Sequence, residues 1–328
     1  MDIPKIQLTR GASFPTDFLI VDGSWRAGKS MVGRIAASLA RVEPFRISTF
    51  LDLFLVCATH KKLEDNAARV LLQIYFDASL REGLLGREMN LRLADDSSVL
   101  RQRMPIRSLL RLAQSDSKVN LDSVVEAQPI YHDMTHNGLP HIRVLLAAFE
   151  QRLRLVHVHR SPSAVVLNLT SDRYLDRLGN DPRDIEPKIE ERGIVIPLAA
   201  RGRAQDWVKA NNAERAIILV CNTVTENILS YQSLTQAEKA QVLPISFDNF
   251  VSDPQAQVQR LCEFLGTRAT AATARSLRKE RVPRSISRII SVLDVRNGHS
   301  EPIREAFMDE LERAQNLYET WPEECVES

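Results

Sequence analysis

The residues best suited to chemistry form one short segment, GSWRAGKS, at residues 23–30. It fits the pattern Gly-x-x-x-x-Gly-Lys-Ser/Thr and follows the apolar run FLIV at residues 18–21, which predicts a buried strand. Gly23 and Gly28 allow backbone N–H groups to converge, and the N-terminus of a following helix adds a partial positive charge. The segment therefore predicts a phosphate-binding loop (P-loop) whose Lys29 contacts phosphate.

The P-loop alone does not identify the nucleotide. Enzymes that use ATP or GTP usually place a second acidic residue after an apolar strand, where it orients Mg²⁺. The nearest candidates are Glu126, preceded by VV, and Asp248, preceded by ISF, and neither follows a long apolar run. A Mg²⁺-dependent small-molecule kinase or NTPase, favoured by the Gly-Lys-Ser sequence, stays open as an alternative.

Two further segments carry groups suited to group transfer. His136 lies in MTHNGLPH, ahead of a predicted helix, and Arg160 and Asn168 lie in VHVHRSPSAVVLNL, a predicted strand and helix. In order and spacing, these segments and the P-loop resemble the sulfotransferase family, whose enzymes use 3′-phosphoadenosine 5′-phosphosulfate (PAPS). The resemblance implies transfer of a sulfuryl group from PAPS to a hydroxyl or amine of a small-molecule, carbohydrate or lipid acceptor, with 3′,5′-adenosine bisphosphate (PAP) as product.

The resemblance also implies a role for each matched residue. His136 removes the acceptor proton, and Arg26, in place of the family's catalytic Lys, acts with Lys29 on charge that develops on the 5′-phosphate. Arg160 and Asn168 bind the 3′-phosphate. The residues expected to contact the nucleotide are Gly23, Ser24, Trp25, Arg26, Ala27, Gly28, Lys29, Ser30, Arg160, Asn168, Arg278 and Arg281.

The similarity is looser in three places. LRKERVPRS, which contains Arg278 and Arg281, resembles only distantly the basic loop that closes over the nucleotide in the family. Met134 stands where the family has a Lys before Thr-His, and Asn168 stands where a Ser is usual. These replacements keep a third interpretation open, a nucleotide-binding protein of the same fold without catalysis.

Histidines and an aspartate cluster near His136, which raises the alternative of a metal site. The group consists of His132, Asp133, His136 and His141. Ligands four residues apart converge only on a helix, and Asn-Gly immediately after His136 predicts a turn. We therefore expect no metal site.

Hydrophobic periodicity supplies the framework for these residues. Strands are predicted near residues 18–21, 124–126, 154–159 and 242–247, and helices near 30–41, 49–57, 64–84, 138–151, 206–231, 252–266 and 301–320. Strands that alternate with helices predict an α/β, P-loop three-layer fold with a mostly parallel central sheet and helices on both faces.

Length and composition bound these expectations. For 328 residues we expect one domain over 1–328, with its core near 15–285, a helical insertion near 49–120 and a C-terminal helix near 301–320. A net charge of +1 gives no general reason to expect nucleic acid or an anionic membrane as partner. Four widely spaced cysteines, no signal-peptide pattern and no apolar run of about 20 residues predict a cytoplasmic protein with no membrane span. The acceptor and the oligomeric state stay open.

Overall fold

The computed structural model describes residues 6–102, 105–171, 174–179, 181–285 and 289–321. Its strands are β1 (Phe18–Asp22), β2 (Arg46–Ile47), β3 (Tyr131–Met134), β4 (Leu153–His159), β5 (Lys188–Glu191), β6 (Ile194–Pro197) and β7 (Val242–Ser246). Five of them form a parallel sheet in the order β2-β3-β1-β4-β7, and β5 and β6 form a separate antiparallel hairpin.

Helices connect and cover the strands. They are α1 (Lys29–Ala36), α2 (Thr49–Thr59), α3 (Asp65–Leu84), α4 (Pro105–Arg111), α5 (Leu121–Ala127), α6 (Ile142–Phe149), α7 (Pro162–Ser171), α8 (Tyr174–Arg177), α9 (Ala204–Lys209), α10 (Asn212–Gln232), α11 (Gln236–Lys239), α12 (Phe247–Ser252), α13 (Pro254–Phe264), α14 (Ala271–Lys279), α15 (Val292–Asn297) and α16 (Glu305–Glu319).

Strand β1 is buried on both faces, as its apolar sequence requires. Phe18 and Ile20 face a core built with α2, α3 and α6, where Phe18 and Phe149 have ring centroids 4.4 Å apart. Leu19 and Val21 face a second core built with α1, α12 and α13. The sheet is thus covered on both sides, and the predicted three-layer α/β architecture is confirmed.

The carboxyl ends of the central strands meet at one edge of the sheet. Val21 pairs with Met134 on one side and with Val156 on the other, in parallel register. The residues that follow β1 and β3 therefore lie side by side, close to the end of β4. In open parallel sheets this is the edge where ligands bind.

A third core supports the end of β4. Helices α7, α10 and α16 pack together around Leu169, Ile217 and Leu311. This packing fixes α7, which begins two residues after Arg160. Among the helices of the described residues, none has both the length and the apolar character that spanning a bilayer demands.

Several predicted elements differ from the structure. Residues 124–126 belong to α5, because Asn120 caps this helix by accepting from Ser123 N, and the neighbouring strand is β3 instead. The helix predicted over 206–231 is divided into α9 and α10, since Asn211 caps a new helix there. The β5–β6 hairpin was not predicted.

Candidate functional site

The P-loop has a backbone that requires glycine at two positions. A Cβ on Gly23 would lie 2.4 Å from Val158 O, and a Cβ on Gly28 would lie 2.2 Å from the Phe247 ring. Gly28 also has φ 97° and caps α1. Within the described residues, the N–H groups of Gly28, Lys29 and Ser30 have no protein acceptor. The loop therefore presents free donors to an anion at a helix N-terminus.

The Lys29 side chain is folded into this loop. Its Nζ donates to Gly23 O at 3.0 Å and to Ser24 O at 3.2 Å, and the residue is 6% exposed. Burial lowers the pKa of Lys29 to about 8, although the carboxylates of Asp22 and Asp52 act in the opposite direction. Among the residues that the structure describes, the ammonium group therefore donates to neutral carbonyls, and a phosphate oxygen would be a stronger partner.

Asp22 fixes the geometry behind the loop. It is fully buried and accepts hydrogen bonds from Thr135 Oγ1 (3.0 Å), Gly138 N (2.5 Å), Leu139 N (3.0 Å) and His157 Nδ1 (2.8 Å). Burial alone would raise the pKa of Asp22, but the hydrogen bond and charge of His157 hold it well below its usual range. The turn after β3 is therefore fastened to the end of β1. Asp22 was not among the site residues predicted from the sequence, although an acid that ends an apolar strand is a recognisable signal.

His136 is paired with a carboxylate that the sequence did not reveal. Its Nδ1 lies 2.9 Å from Asp52 Oδ2, and its backbone N donates to Asp52 Oδ1 at 2.9 Å. The next residue, Asn137, donates its N–H to Gly23 O at 3.2 Å. An imidazole that donates Nδ1–H to a carboxylate has its Nε2 lone pair available for a proton. This pair therefore supplies a proton acceptor joined directly to the P-loop.

A cavity of about 230 Å³ opens beside this pair, and we call it the His136 cavity. His136 and Asp52 line it together with Trp25 of the P-loop. Tyr174 of α8 and Glu186, just before β5, also line it. The centroids of the Trp25 and Tyr174 rings are 5.8 Å apart. The P-loop and the proton acceptor thus border the same space.

Arg160 lies against the P-loop. Its Nη1 is 3.4 Å from Arg26 O, and its guanidinium carbon lies 4.4 Å from the centroid of Phe247, the ring that packs on Gly28. The buried Nε of Arg160 has no partner within the described residues. Burial lowers the pKa of Arg160, and the charge of Asp248 opposes that shift. The side chain therefore has donor capacity left for a ligand beside the loop.

Arg284 approaches the same ring and was not singled out from the sequence. Its guanidinium carbon lies 5.6 Å from the Phe247 centroid, and its N donates to Val251 O at 2.9 Å. Arg278 and Arg281 of the same basic segment are exposed near the end of α14, a helix that contacts α1 through Arg34. The basic segment thus reaches the loop region through a residue further along the chain than expected.

The remaining matched residues have other surroundings. Arg26 is exposed and has φ 61°. Asn168 donates to Ala164 O of its own helix at 2.7 Å. Met134 is 1% exposed and packs against Gly33 of α1. The structure therefore brings the P-loop, His136 and Arg160 together, whereas the Asn168 side chain donates within its own helix, α7.

The clustered histidines have separate partners. His132 Nδ1 lies 3.2 Å from Glu43 O, and His141 Nδ1 lies 2.9 Å from Thr59 Oγ1. Burial lowers the pKa of His132 to about 3 and that of His141 to about 4. Across the described ranges, no three His, Cys, Asp or Glu side chains are arranged to hold a metal ion.

The two candidate Mg²⁺-orienting acids belong to different helices. Glu126 is exposed on α5. Asp248 is half-buried at the start of α12, within electrostatic reach of Arg160, and burial raises the pKa of this carboxyl group. The nearby charge of Arg160 opposes this shift.

Comparison with known proteins gives one family match. A family model for the sulfotransferase domain matches residues 87–289, a range that includes His136 and Arg160 but not the P-loop. The chain is similar to the sulfotransferase domain from the olefin synthase of Synechococcus PCC 7002, with 14% identity, coverage of 96% of this chain and 98% of that chain, and a TM-score of 0.45. It is also similar to the sulfotransferase domain from the curacin biosynthetic pathway, with 15% identity, coverage of 94% of this chain and 99% of that chain, and a TM-score of 0.45. A third similar structure is a sulfotransferase from Mycobacterium tuberculosis H37Rv, with 11% identity, coverage of 92% of this chain and 76% of that chain, and a TM-score of 0.42. No curated protein matches the chain.

Proposed function

Because the chain belongs to the sulfotransferase family, we propose that this enzyme takes its sulfuryl group from PAPS and transfers it to a hydroxyl group of an acceptor in the His136 cavity. One observation carries the proposal: Asn137 N donates to Gly23 O at 3.2 Å, which joins the His136–Asp52 pair to the P-loop. A phosphate site and a proton acceptor beside one cavity are the two parts that transfer from a phosphorylated donor needs.

The residues present fit a doubly phosphorylated adenosine. The unpaired N–H groups at the start of α1 and the Lys29 ammonium group suit the 5′-phosphate. Arg160, with its unpartnered Nε, and Arg284 suit a phosphate on the ribose, the group that distinguishes PAPS from ATP. When bound, PAPS supplies a sulfuryl group activated by its bond to the 5′-phosphate.

Two groups of side chains would perform the transfer. His136 removes the acceptor proton at Nε2 as the acceptor oxygen bonds to sulfur, and Asp52 orients the ring and stabilises the imidazolium. Lys29, Arg26 and the loop N–H groups stabilise the negative charge that passes to the 5′-phosphate as its bond to sulfur breaks. A positioned base of this kind contributes about 10²–10⁴-fold in rate.

Thermal melting tests the nucleotide. PAP at about one hundred times its dissociation constant adds about 2.7 kcal/mol and should raise the melting temperature by roughly 5 °C. Stabilisation by ATP plus Mg²⁺ but not by PAP would favour the kinase alternative. Stabilisation by PAP, with no sulfuryl transfer to any of a broad set of alcohols and phenols, would favour the non-catalytic alternative.

Arg160→Ala tests the ribose-phosphate site. A charge-assisted hydrogen bond contributes about 1.5–3 kcal/mol, so the affinity for PAP should fall by about ten- to a hundredfold. Arg154→Ala, in the first half of β4, the strand that ends just before Arg160, is the matched control and should bind PAP like wild type. Equal PAP affinity in the two variants would refute the role of Arg160.

A further inference from the structure

We propose that the His136 cavity selects acceptors that carry an ammonium group, which pairs with the Glu186 carboxylate beside the rings of Trp25 and Tyr174. The inference rests on the proposed function, because it assigns a chemical class to the acceptor of the same site. It goes further in naming a residue that determines specificity.

The other carboxylates of the cavity already have partners. Asp52 is bonded to His136, Asp184 forms an ion pair with Lys188, and Glu226 forms one with Arg201. Lys188 Nζ donates to the backbone O of Glu186 at 2.7 Å rather than to its side chain. Within the described residues, Glu186 is therefore the cavity carboxylate without an ion pair.

The surroundings of Glu186 suit a cation supplied by a ligand. Burial raises the pKa of Glu186 to about 7; Asp184 adds to the shift and Lys188 opposes it. A ligand cation would offset the unfavourable burial of the ionised carboxylate. This residue is half-buried, so it can meet a ligand inside the cavity rather than in bulk water.

The aromatic wall is an independent observation that points the same way. Burial raises the pKa of the Tyr174 hydroxyl, and the charge of Glu186 is the next largest cause of that increase. Tyr174 therefore lies within electrostatic reach of Glu186. Its ring lies beside Trp25, with centroids 5.8 Å apart. Faces of Trp and Tyr attract ammonium groups, so the rings and the carboxylate favour the same ligand charge.

Arginines also border the cavity and must be weighed against this assignment. Arg183 is 77% exposed and paired with Asp181, and Arg201 is 44% exposed and paired with Glu226. Arg177, in the last turn of α8, is exposed. These cations therefore lie on the solvent side, whereas Glu186 is the more buried charge.

The ammonium group is a recognition element and not the sulfated atom. A protonated nitrogen has no lone pair with which to attack sulfur, so the group that loses its proton to His136 must be a separate hydroxyl. The acceptor class that follows is the amino alcohols and aminophenols.

A set of three probes of similar shape tests the charge preference. Calorimetric titration at about pH 8, where Glu186 is mostly ionised and an alkyl ammonium remains charged, compares 2-phenylethylammonium, 2-phenylethanol and phenylacetate on the PAP-loaded protein. We expect the ammonium probe to bind about tenfold more tightly than the alcohol, and phenylacetate to bind most weakly. In Glu186→Gln the ammonium preference should disappear while the affinity for the alcohol stays the same. Glu190→Gln, which changes an exposed acid on β5 four residues further along the chain, is the matched control and should keep the preference.

The outcomes separate this inference from the proposed function. Equal binding of ammonium and alcohol by wild type, no detectable ammonium binding, or an ammonium preference that persists in Glu186→Gln would each overturn the role of Glu186. The PAP melting shift is recorded in the same samples and reports on the nucleotide alone. If PAP causes no shift in melting temperature, the proposed donor is wrong. The same three titrations, carried out on the protein without PAP, then still decide the charge preference of the cavity.

Discussion

The P-loop and the His136 cavity adjoin each other, yet they are built in opposite ways. The P-loop is one continuous segment whose groups are set by the backbone, through Gly23, Gly28 and the first N–H groups of α1. The cavity is assembled from α2, the turn after β3, α8 and the segments flanking the hairpin, and its groups are side chains. The proposed phosphate site is therefore local in sequence, whereas the proposed acceptor site depends on the tertiary structure.

Asp22 joins the two regions, and its removal should have the largest effect. Asp22→Asn leaves His157 Nδ1 and the N–H groups of the turn after β3 without their buried carboxylate, which should lower the free energy of unfolding by about 3–5 kcal/mol. Asp17→Asn, near the start of the same strand and one-third exposed, should change it little. Urea denaturation measures both, and equal stability of the two variants would show that the regions are fastened elsewhere.

The same linkage sets an acid limit. The pKa of Asp22 is lower in the folded protein than in the unfolded chain. The stability that ionised Asp22 contributes is therefore complete at pH values above its unfolded-state pKa, and it is lost as the pH falls below that pKa towards the folded-state pKa. Stability of the wild type should therefore decline at acidic pH more steeply than that of Asp22→Asn.

Asp52→Asn should separate the cavity from the P-loop. The amide can still accept from His136 N, but it no longer stabilises a protonated ring, so kcat should fall by about 10²-fold. The affinity for PAP, measured by melting, should stay the same. A parallel loss of PAP affinity would indicate that Asp52 acts through Lys29 instead, since its charge also influences that ammonium group.

Arg284→Ala sharpens the description of the nucleotide side. Because Arg284 is exposed, we expect a loss of PAP affinity of about three- to tenfold, less than for Arg160→Ala. Arg281→Ala serves as comparison within the same segment and should have the smaller effect. A larger loss of PAP affinity in Arg281→Ala than in Arg284→Ala would assign the phosphate contact to Arg281, as expected from the sequence.

The last prediction concerns how the affinity for PAP depends on pH through the ionisation of Lys29. A bound phosphate should raise the pKa of Lys29 above its value of about 8, so PAP binding takes up a proton at higher pH. The affinity should be constant below about pH 7.5 and should fall above pH 8 by at most about tenfold per unit. Lys29→Met should bind PAP more weakly and without this dependence. A wild-type affinity that is flat to about pH 9.5 would mean that Lys29 does not contact the nucleotide.

The sequence predicted those parts of the molecule in which local pattern and tertiary environment agree. The apolar run of β1, the glycines of the P-loop and the β4–α7 segment with Arg160 are of this kind. Strand β3 has the polar sequence YHDM, and yet it is fully buried. This burial is possible because His132 Nδ1 contacts Glu43 O, which is distant in sequence, and Asp133 accepts from the backbone N–H of Met134. Asp52 and Glu186 could not be predicted as site residues for the same reason: only the folded chain brings them to the cavity.

Trp25 belongs to both regions, since its backbone is part of the P-loop and its side chain borders the His136 cavity beside Tyr174. A ligand that fixes the conformation of the loop would therefore also fix part of the lining of the proposed acceptor cavity. This arrangement favours sequential addition, with the nucleotide entering first and leaving last. Steady-state inhibition by PAP should then be competitive with PAPS and noncompetitive with the acceptor.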